Sequence, residues 1–263
     1  YGVLMFKEYP TVIDYAKADA AHPGKAAGSM FISTTDGIAA KEMGDTRYYC
    51  AYVKLSNGEY AYSGLLDYSP KQYALNQLVK SNSAELKVLC VAMLNYGAAA
   101  QSYFGYRTDD LMNAGLTAEQ KALVGPYDSS LFAGAVPADS NKVGGFASTN
   151  SGFGGRGNTV SFEGAFAINY YFAPSNAVKG DVKLYIWSPA DYAAASKLTA
   201  SNATAVVAMD AQSGGAYWGQ VEGIAAKMLD ETYYVAGVYE DADGNTYCTG
   251  VIPYSLSKYC LNN

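Results

Sequence analysis

The side chains best equipped for chemistry in this sequence are aromatic and amide groups on short alternating segments. In residues 182–187, Val182, Leu184 and Ile186 turn toward a core, so Lys183, Tyr185 and Trp187 face outward. In residues 217–222, Tyr217, Gly219 and Val221 turn in, and Trp218, Gln220 and Glu222 turn out. Asn169 and Tyr171 take outward positions on a third segment, 161–172, whose inner face is Phe162, Phe166, Ile168, Tyr170 and Phe172. The candidate binding set is therefore Trp187, Trp218, Tyr185, Tyr171, Asn169, Gln220 and Lys183. Its chemistry is ring stacking flanked by hydrogen bonds, which is recognition and not bond-breaking. The competing expectation is burial, because immunoglobulin-like sandwiches bury a Trp on one strand and outward faces are often covered by other elements.

Acid–base and nucleophilic chemistry finds little to work with. A Ser-His-Asp or Cys-His site needs a histidine, and His22, followed by Pro23 and Gly24, is the sole one. No phosphate loop, dinucleotide fingerprint or H-E-x-x-H pattern occurs. Asp241-Ala242-Asp243-Gly244-Asn245 superficially resembles a calcium loop, but its glycine comes too early for an EF-hand, and a hairpin turn is the better reading. A glycosidase needs only two carboxylates, so that activity stays as a minor alternative. The expectation is no catalytic residue, no metal ligand and no cofactor. Cys50, Cys90, Cys248 and Cys260 lack C-x-x-C spacing, which argues against zinc. Buried free thiols are expected, with a Cys248–Cys260 disulfide as the alternative.

The charge balance removes further classes. With a net charge of −6 and no basic stripe, the chain is ill suited to phosphate backbones or anionic membrane surfaces. No apolar run approaches the roughly 18 residues of a membrane span. Tyrosine stands out, at 25 against 9 Phe and 2 Trp, either because sheets favour it or because half-wet binding faces do. The first residue is Tyr1, so the sequence reads as a piece of a longer protein.

The elements that position these side chains are legible through an internal repeat. Residues 37–76 and 223–262 align without gaps, with 14 of 40 positions identical. Gly37-Ile38-Ala39-Ala40-Lys41 recurs as Gly223-Ile224-Ala225-Ala226-Lys227. Each copy reads as a strand, a two-residue hairpin turn (Asn57-Gly58, Asp243-Gly244) and a return strand. A single gap would align Tyr49, Ala51 and Val53 with Tyr234, Ala236 and Val238 on one face. The runs before these strands, 43–50 and 229–234, resemble the tyrosine corner of immunoglobulin-like sandwiches. Residues 83–104 read as a largely buried helix, and Thr117-Ala118-Glu119-Gln120 as a capping box.

The predicted fold is mainly β with a helical module: two immunoglobulin or fibronectin-III-like β-sandwich lobes related by the repeat, with helices between them. The first lobe spans 1–68, the helical module 69–133, a Gly/Ser-rich linker 134–158 with a strand near 143–147, the second lobe 159–254, and a second helical segment begins at 255–263. Seven strands are countable in the second lobe. The first shows only segments 3–6 and 29–33 before its corner. Either its first two strands lie upstream in a parent protein or the lobe is a reduced sandwich.

The segments GIAAKEMGDTRYYCAYVKLSNGEYAYSGLLDYS, ELKVLCVAMLNYGAAAQSYFGY and SFEGAFAINYYF resemble modules that recur in surface proteins of Gram-positive gut anaerobes. Among these are the starch-adherence proteins of the amylosome, a cell-surface complex for degrading resistant starch. The resemblance covers most of the chain. It implies a β-sandwich followed by clustered helices that binds α-1,4-glucan chains without cleaving them, in a secreted, cell-surface-associated bacterial protein. The partners implied are starch-type α-glucan or maltooligosaccharides, and other amylosome proteins through domains outside this chain. No nucleic acid and no membrane insertion are expected. The outward aromatics then become platforms for curved sugar faces. The rival readings are a structural spacer or protein-docking module and, third, a glycoside hydrolase.

Overall fold

In the computed structural model all residues are described except 127, 129, 131–133, 144–152, 163, 164 and 263. Among the described residues the fold is mixed α/β, with four antiparallel sheets and several helices. It forms two compact units, Tyr1–Pro126 and Tyr127–Asn263.

The first unit contains β1 (Gly2–Phe6), β2 (Ala20–Pro23), β3 (Lys25–Ala27), β4 (Met30–Ile32), β5 (Arg47–Lys54), β6 (Tyr60–Tyr62) and β7 (Leu66–Tyr68). One sheet runs β2-β1-β5-β6, with β7 also on β5, and β3 pairs with β4 in a separate ribbon. The strands β2 and β3 escaped the sequence reading because Ala20–Pro23 and Lys25–Ala27 are short and lack a clear alternation. Leu4, Phe6 and Cys50 form a buried cluster on one face of the sheet, under Tyr48, Tyr52 and Tyr62.

Three helices follow. In α1 (Pro70–Lys80) Pro70 occupies the first turn, and the Ser69 hydroxyl accepts from the Gln72 amide at 3.1 Å. α2 (Ala84–Phe104) starts at Ser83 and ends at Gly105, which adopts φ +63°, a conformation that favours glycine. α3 (Ala118–Lys121) opens on the expected Thr117–Gln120 capping box. Ala74, Leu78, Cys90, Val91, Leu94, Ala98, Met112 and Leu116 make their core. α2 is less buried than its composition implied. It buries one stripe, while Leu89 and Tyr103 are exposed.

The second unit holds α4 (Ser140–Val143), β8 (Phe153–Ser161), β9 (Phe166–Pro174), β10 (Val178–Trp187), α5 (Pro189–Ala194), β11 (Ala205–Ala208), β12 (Asp210–Ala211), β13 (Tyr217–Ile224), β14 (Tyr233–Asp241), β15 (Thr246–Cys248), β16 (Ile252–Tyr254) and α6 (Leu256–Asn262). One sheet runs β11-β10-β14-β15, with β16 also on β14; the other runs β12-β13-β9-β8. They share a core. Ile168, Tyr170, Phe172, Val221 and Ile224 from one sheet meet Val182, Leu184, Ile186, Val235 and Tyr239 from the other. Residues 153–158, expected in the linker, belong to β8; their glycines hid the strand period. The strand expected near 143–147 is not seen at Val143, which ends α4, and otherwise lies outside the described residues.

Both hairpins differ from the expected two-residue turn. Gly58 (φ +90°) donates to the Leu55 carbonyl at 3.0 Å, and Leu55 donates to Glu59 at 2.8 Å. Gly244 (φ +85°) and Asp241 repeat this, with Asp241 donating to Asn245 at 3.0 Å. Only the glycine needs positive φ, so each loop is a turn closed by a left-handed Gly. Cys50, Cys90 and Cys248 are buried free thiols as expected; Cys260 is also free but exposed.

The Asp241–Asn245 segment is a hydrogen-bonded turn. One Asp241 oxygen accepts from the amides of Asp243 and Asn245 at 3.0 and 2.9 Å, and the other accepts from the Tyr247 hydroxyl at 2.9 Å. These bonds, led by the Asn245 side chain, hold the Asp241 carboxyl below the usual Asp range. A carboxyl whose pKa falls on folding stabilises the fold above the unfolded value of about 3.9, and that contribution fades as pH drops below it. Asp241→Asn should therefore melt below the parent protein at neutral pH, with the gap closing as pH falls below about 4. Parallel melting curves across that range would contradict this.

Candidate functional site

The outer face of the β12-β13-β9-β8 sheet gathers four of the seven candidate residues. The registers place Trp218 opposite Tyr171 and Gln220 opposite Asn169 across β13 and β9. On the far side of β9, Thr159 of β8 stands opposite Asn169, and Ser161 opposite Ala167. Side chains at these positions point away from the shared core, because Ile168, Tyr170 and Phe172 point into it.

Asn169 organises the strip. Its Oδ1 accepts from Trp218 Nε1 at 3.1 Å, and its Nδ2 donates to Thr159 Oγ1 at 3.1 Å and Ser161 Oγ at 3.0 Å. The amide is buried, whereas Trp218, Tyr171 and Gln220 are half-buried. The indole is thus pinned at its nitrogen while part of its surface remains open. Gln220 and Glu222 border a shallow hollow of about 480 Å3, together with Ser161, Ala165, Ala167 and Gly223. An aromatic ring held beside amides, hydroxyls and a carboxylate fits a neutral, hydroxyl-rich ligand. Thr159 and Ser161, which fall inside the second lobe as read, were missed because no separate strand was assigned ahead of 161–172. Their signal was the alternation of Asn158-Thr159-Val160-Ser161 after the glycines.

The other three candidates lie elsewhere. Lys183 is exposed on β10, Tyr185 is half-buried, and Trp187 is 0% exposed. The alternation of β10 is as read, with Trp187 turned away from the shared core, but that face is covered. Trp187 packs with Leu198, Tyr234, Ala236 and Cys248, against Tyr185 and Tyr192, and its Nε1 donates to Asn202 Oδ1 at 2.9 Å. Trp187 is therefore corrected from an open platform to a core residue. Tyr185 joins that cluster, and Lys183 stands apart from the strip on a different sheet. Tyr234 stacks on Tyr192, ring centroids 3.5 Å apart, and burial followed by that neighbour pushes its hydroxyl up to about 12.

Among the described residues no group of three or more His, Cys, Asp or Glu side chains is placed to hold a metal ion. No helix among them is long and apolar enough to cross a membrane. The first unit has a charged hollow bounded by Lys7, Glu42, Asp45, Arg47, Arg107 and Asp110. Two ion pairs form within it: Asp45 accepts from Arg107, and also from the Tyr106 hydroxyl, at 2.6 Å each, and Glu42 accepts from Arg47 at 3.1 Å; Asp110 accepts from Lys71 at 3.0 Å. Comparison with protein-family models, curated proteins and solved structures gave no match.

The two tryptophans should behave differently on truncation. Trp187→Ala should lower unfolding free energy by about 3–5 kcal/mol, because it leaves a cavity and removes one of the two donors to Asn202 Oδ1, the other being the Thr199 amide. Trp218→Ala should cost much less. Urea denaturation of both variants checks this, and a parent-like midpoint for Trp187→Ala would refute the burial.

Proposed function

We propose that this chain is a non-catalytic module that binds starch-type α-1,4-glucan chains in a secreted, cell-surface-associated bacterial protein. The observation that carries the reading is the strip in which Trp218, Tyr171 and Gln220 surround the Asn169 hydrogen-bond hub. A half-open indole fixed by its nitrogen gives a stacking surface that does not have to be ordered on binding. The neighbouring amide and hydroxyl groups match sugar hydroxyls. The sequence resemblance to amylosome starch-adherence modules adds the ligand class.

We further propose that both units are versions of one immunoglobulin-like sandwich. The support is in their registers. The pairs Tyr52–Tyr62, Val53–Ala61 and Lys54–Tyr60 recur, 186 positions on, as Val238–Cys248, Tyr239–Tyr247 and Glu240–Thr246. Arg47–Tyr68, Tyr48–Asp67 and Tyr49–Leu66 recur as Tyr233–Tyr254, Tyr234–Pro253 and Val235–Ile252. The correspondence is ungapped: Tyr48, not Tyr49, matches Tyr234. The partner strands agree too. Val3 pairs with Ala51 and His22, as Leu184 does with Gly237 and Val207.

Native gel retardation tests the glucan reading, with soluble starch as ligand and xylan and mannan as controls. Retardation by starch alone is expected. Trp218→Ala should weaken it about fivefold, equivalent to about 1 kcal/mol for one stacked ring. Trp187→Phe, which keeps an aromatic core, should leave it unchanged. No retardation by any polysaccharide would favour the spacer or docking reading. Release of reducing sugar that vanished on replacing a single Asp or Glu would favour the hydrolase.

A further inference from the structure

The first unit leaves open the face that the second unit covers. In the second unit β13 pairs with β12 on one edge and with β9 on the other, and β9 pairs with β8. In the first unit β4 pairs with β3 alone. The ribbons correspond: Ala26–Phe31 and Lys25–Ile32 stand where Ala211–Tyr217 and Asp210–Trp218 stand. Nothing in the first unit stands where β9 and β8 do.

The side chains tell the same story. Leu184, Val235 and Tyr239 are 0, 0 and 2% exposed, packed in one core with Ile168, Tyr170, Phe172 and Phe153 of the covering strands. Of their first-unit counterparts, Val3 and Tyr49 are only half-buried and Val53 is 42% exposed. Beside them Phe31, Ile32 and Leu66 are 65, 56 and 61% exposed. Two apolar hollows of about 440 and 510 Å3 mark this face, bounded by Tyr1, Val3, Phe31, Val53, Leu66 and Tyr68 among others. A patch of this kind beside a free strand edge is a docking surface for an extended chain.

We infer that this face is the seat of a two-stranded antiparallel hairpin, the counterpart of β8–β9, which leads directly into β1 in the same polypeptide. The inference rests on the proposed kinship of the two units and is independent of the glucan reading. What calls for this occupant is the topology of the second unit. There β9 passes to β10 through residues 175–177, and β10 holds the position of β1. The incoming strand pairs with the free edge of β4, and its alternate apolar side chains fill the two hollows. One local difference shapes it. A Cβ on Gly237 would lie 2.9 Å from Phe153 and Phe172, yet the counterpart of Gly237 is Ala51. The hairpin that covers Ala51 therefore carries a smaller residue there than Phe172.

The test uses a stand-in hairpin: a duplicate of residues 153–181 fused ahead of Tyr1, alone and with Ala51→Gly to clear the duplicated Phe side chains. Hydrogen exchange of residues 30–38 should slow at least tenfold against the parent chain, more so in the Ala51→Gly background. A control fusion with the duplicated Ile168 and Phe172 changed to Asp should give no slowing. Absence of slowing in both backgrounds, or equal slowing with the Asp control, overturns the inference. So does protection already present in a parent chain that light scattering finds dimeric, which would assign the face to self-association. Starch retardation is read separately, so failure of one reading is not failure of the other.

Discussion

The second unit is organised by one constraint: the central β10–β14 pair must bury both of its faces. Along this ladder the side chains alternate between two separate cores. Leu184, Ile186, Val235 and Tyr239 enter the core shared with the opposing sheet. Trp187, Tyr234 and Ala236 enter a second cluster under Leu198 and Tyr192. Apart from exposed charged positions such as Lys183, a pair covered on both sides has little aromatic surface to lend to a ligand. On the proposed glucan reading, recognition then falls to the other sheet, whose outer face leaves Trp218 and Tyr171 half open.

The opposing sheet accepts that role through a buried amide. Asn169 would carry a desolvation penalty with its polar atoms unmet, and Trp218, Thr159 and Ser161 meet them. The network holds three strands in register and fixes the indole edge. On the proposed glucan reading, stability and recognition are coupled at one residue. The same two-sided requirement accounts for the first unit. Its sheet has Leu4, Phe6 and Cys50 packed on one face, while Val53 and Leu66 on the other face, and Phe31 and Ile32 of the separate β3–β4 ribbon, are exposed. On the proposed kinship of the two units, it has the strand registers of a two-layer unit and only part of the second layer.

Local chemistry was the part most readable in advance. The Thr117 capping box and the left-handed glycines at 58 and 244 each depend on neighbours within a few residues. Strand alternation in 182–187 and 217–222 also read correctly, because a period of two is a property of the backbone alone. β8 escaped because glycine carries no side chain to mark the period. The hairpin type escaped because both turn classes use a left-handed glycine, and they differ in whether the residue before it also takes positive φ and in where the ladder closes.

The sequence by itself determined which side chains share a strand face, the limits of the long helix at 83–104, and that the repeat motif recurs. What covers each face was decided only by tertiary structure. Trp187 and Trp218 are indistinguishable by alternation, since both point away from the shared core. One is sealed by Leu198 and Tyr192, which follow it in the chain, and the other remains half open beside Asn169. Burial is a property of the space between elements. Period and propensity say which way a side chain points, and only packing says what it meets there.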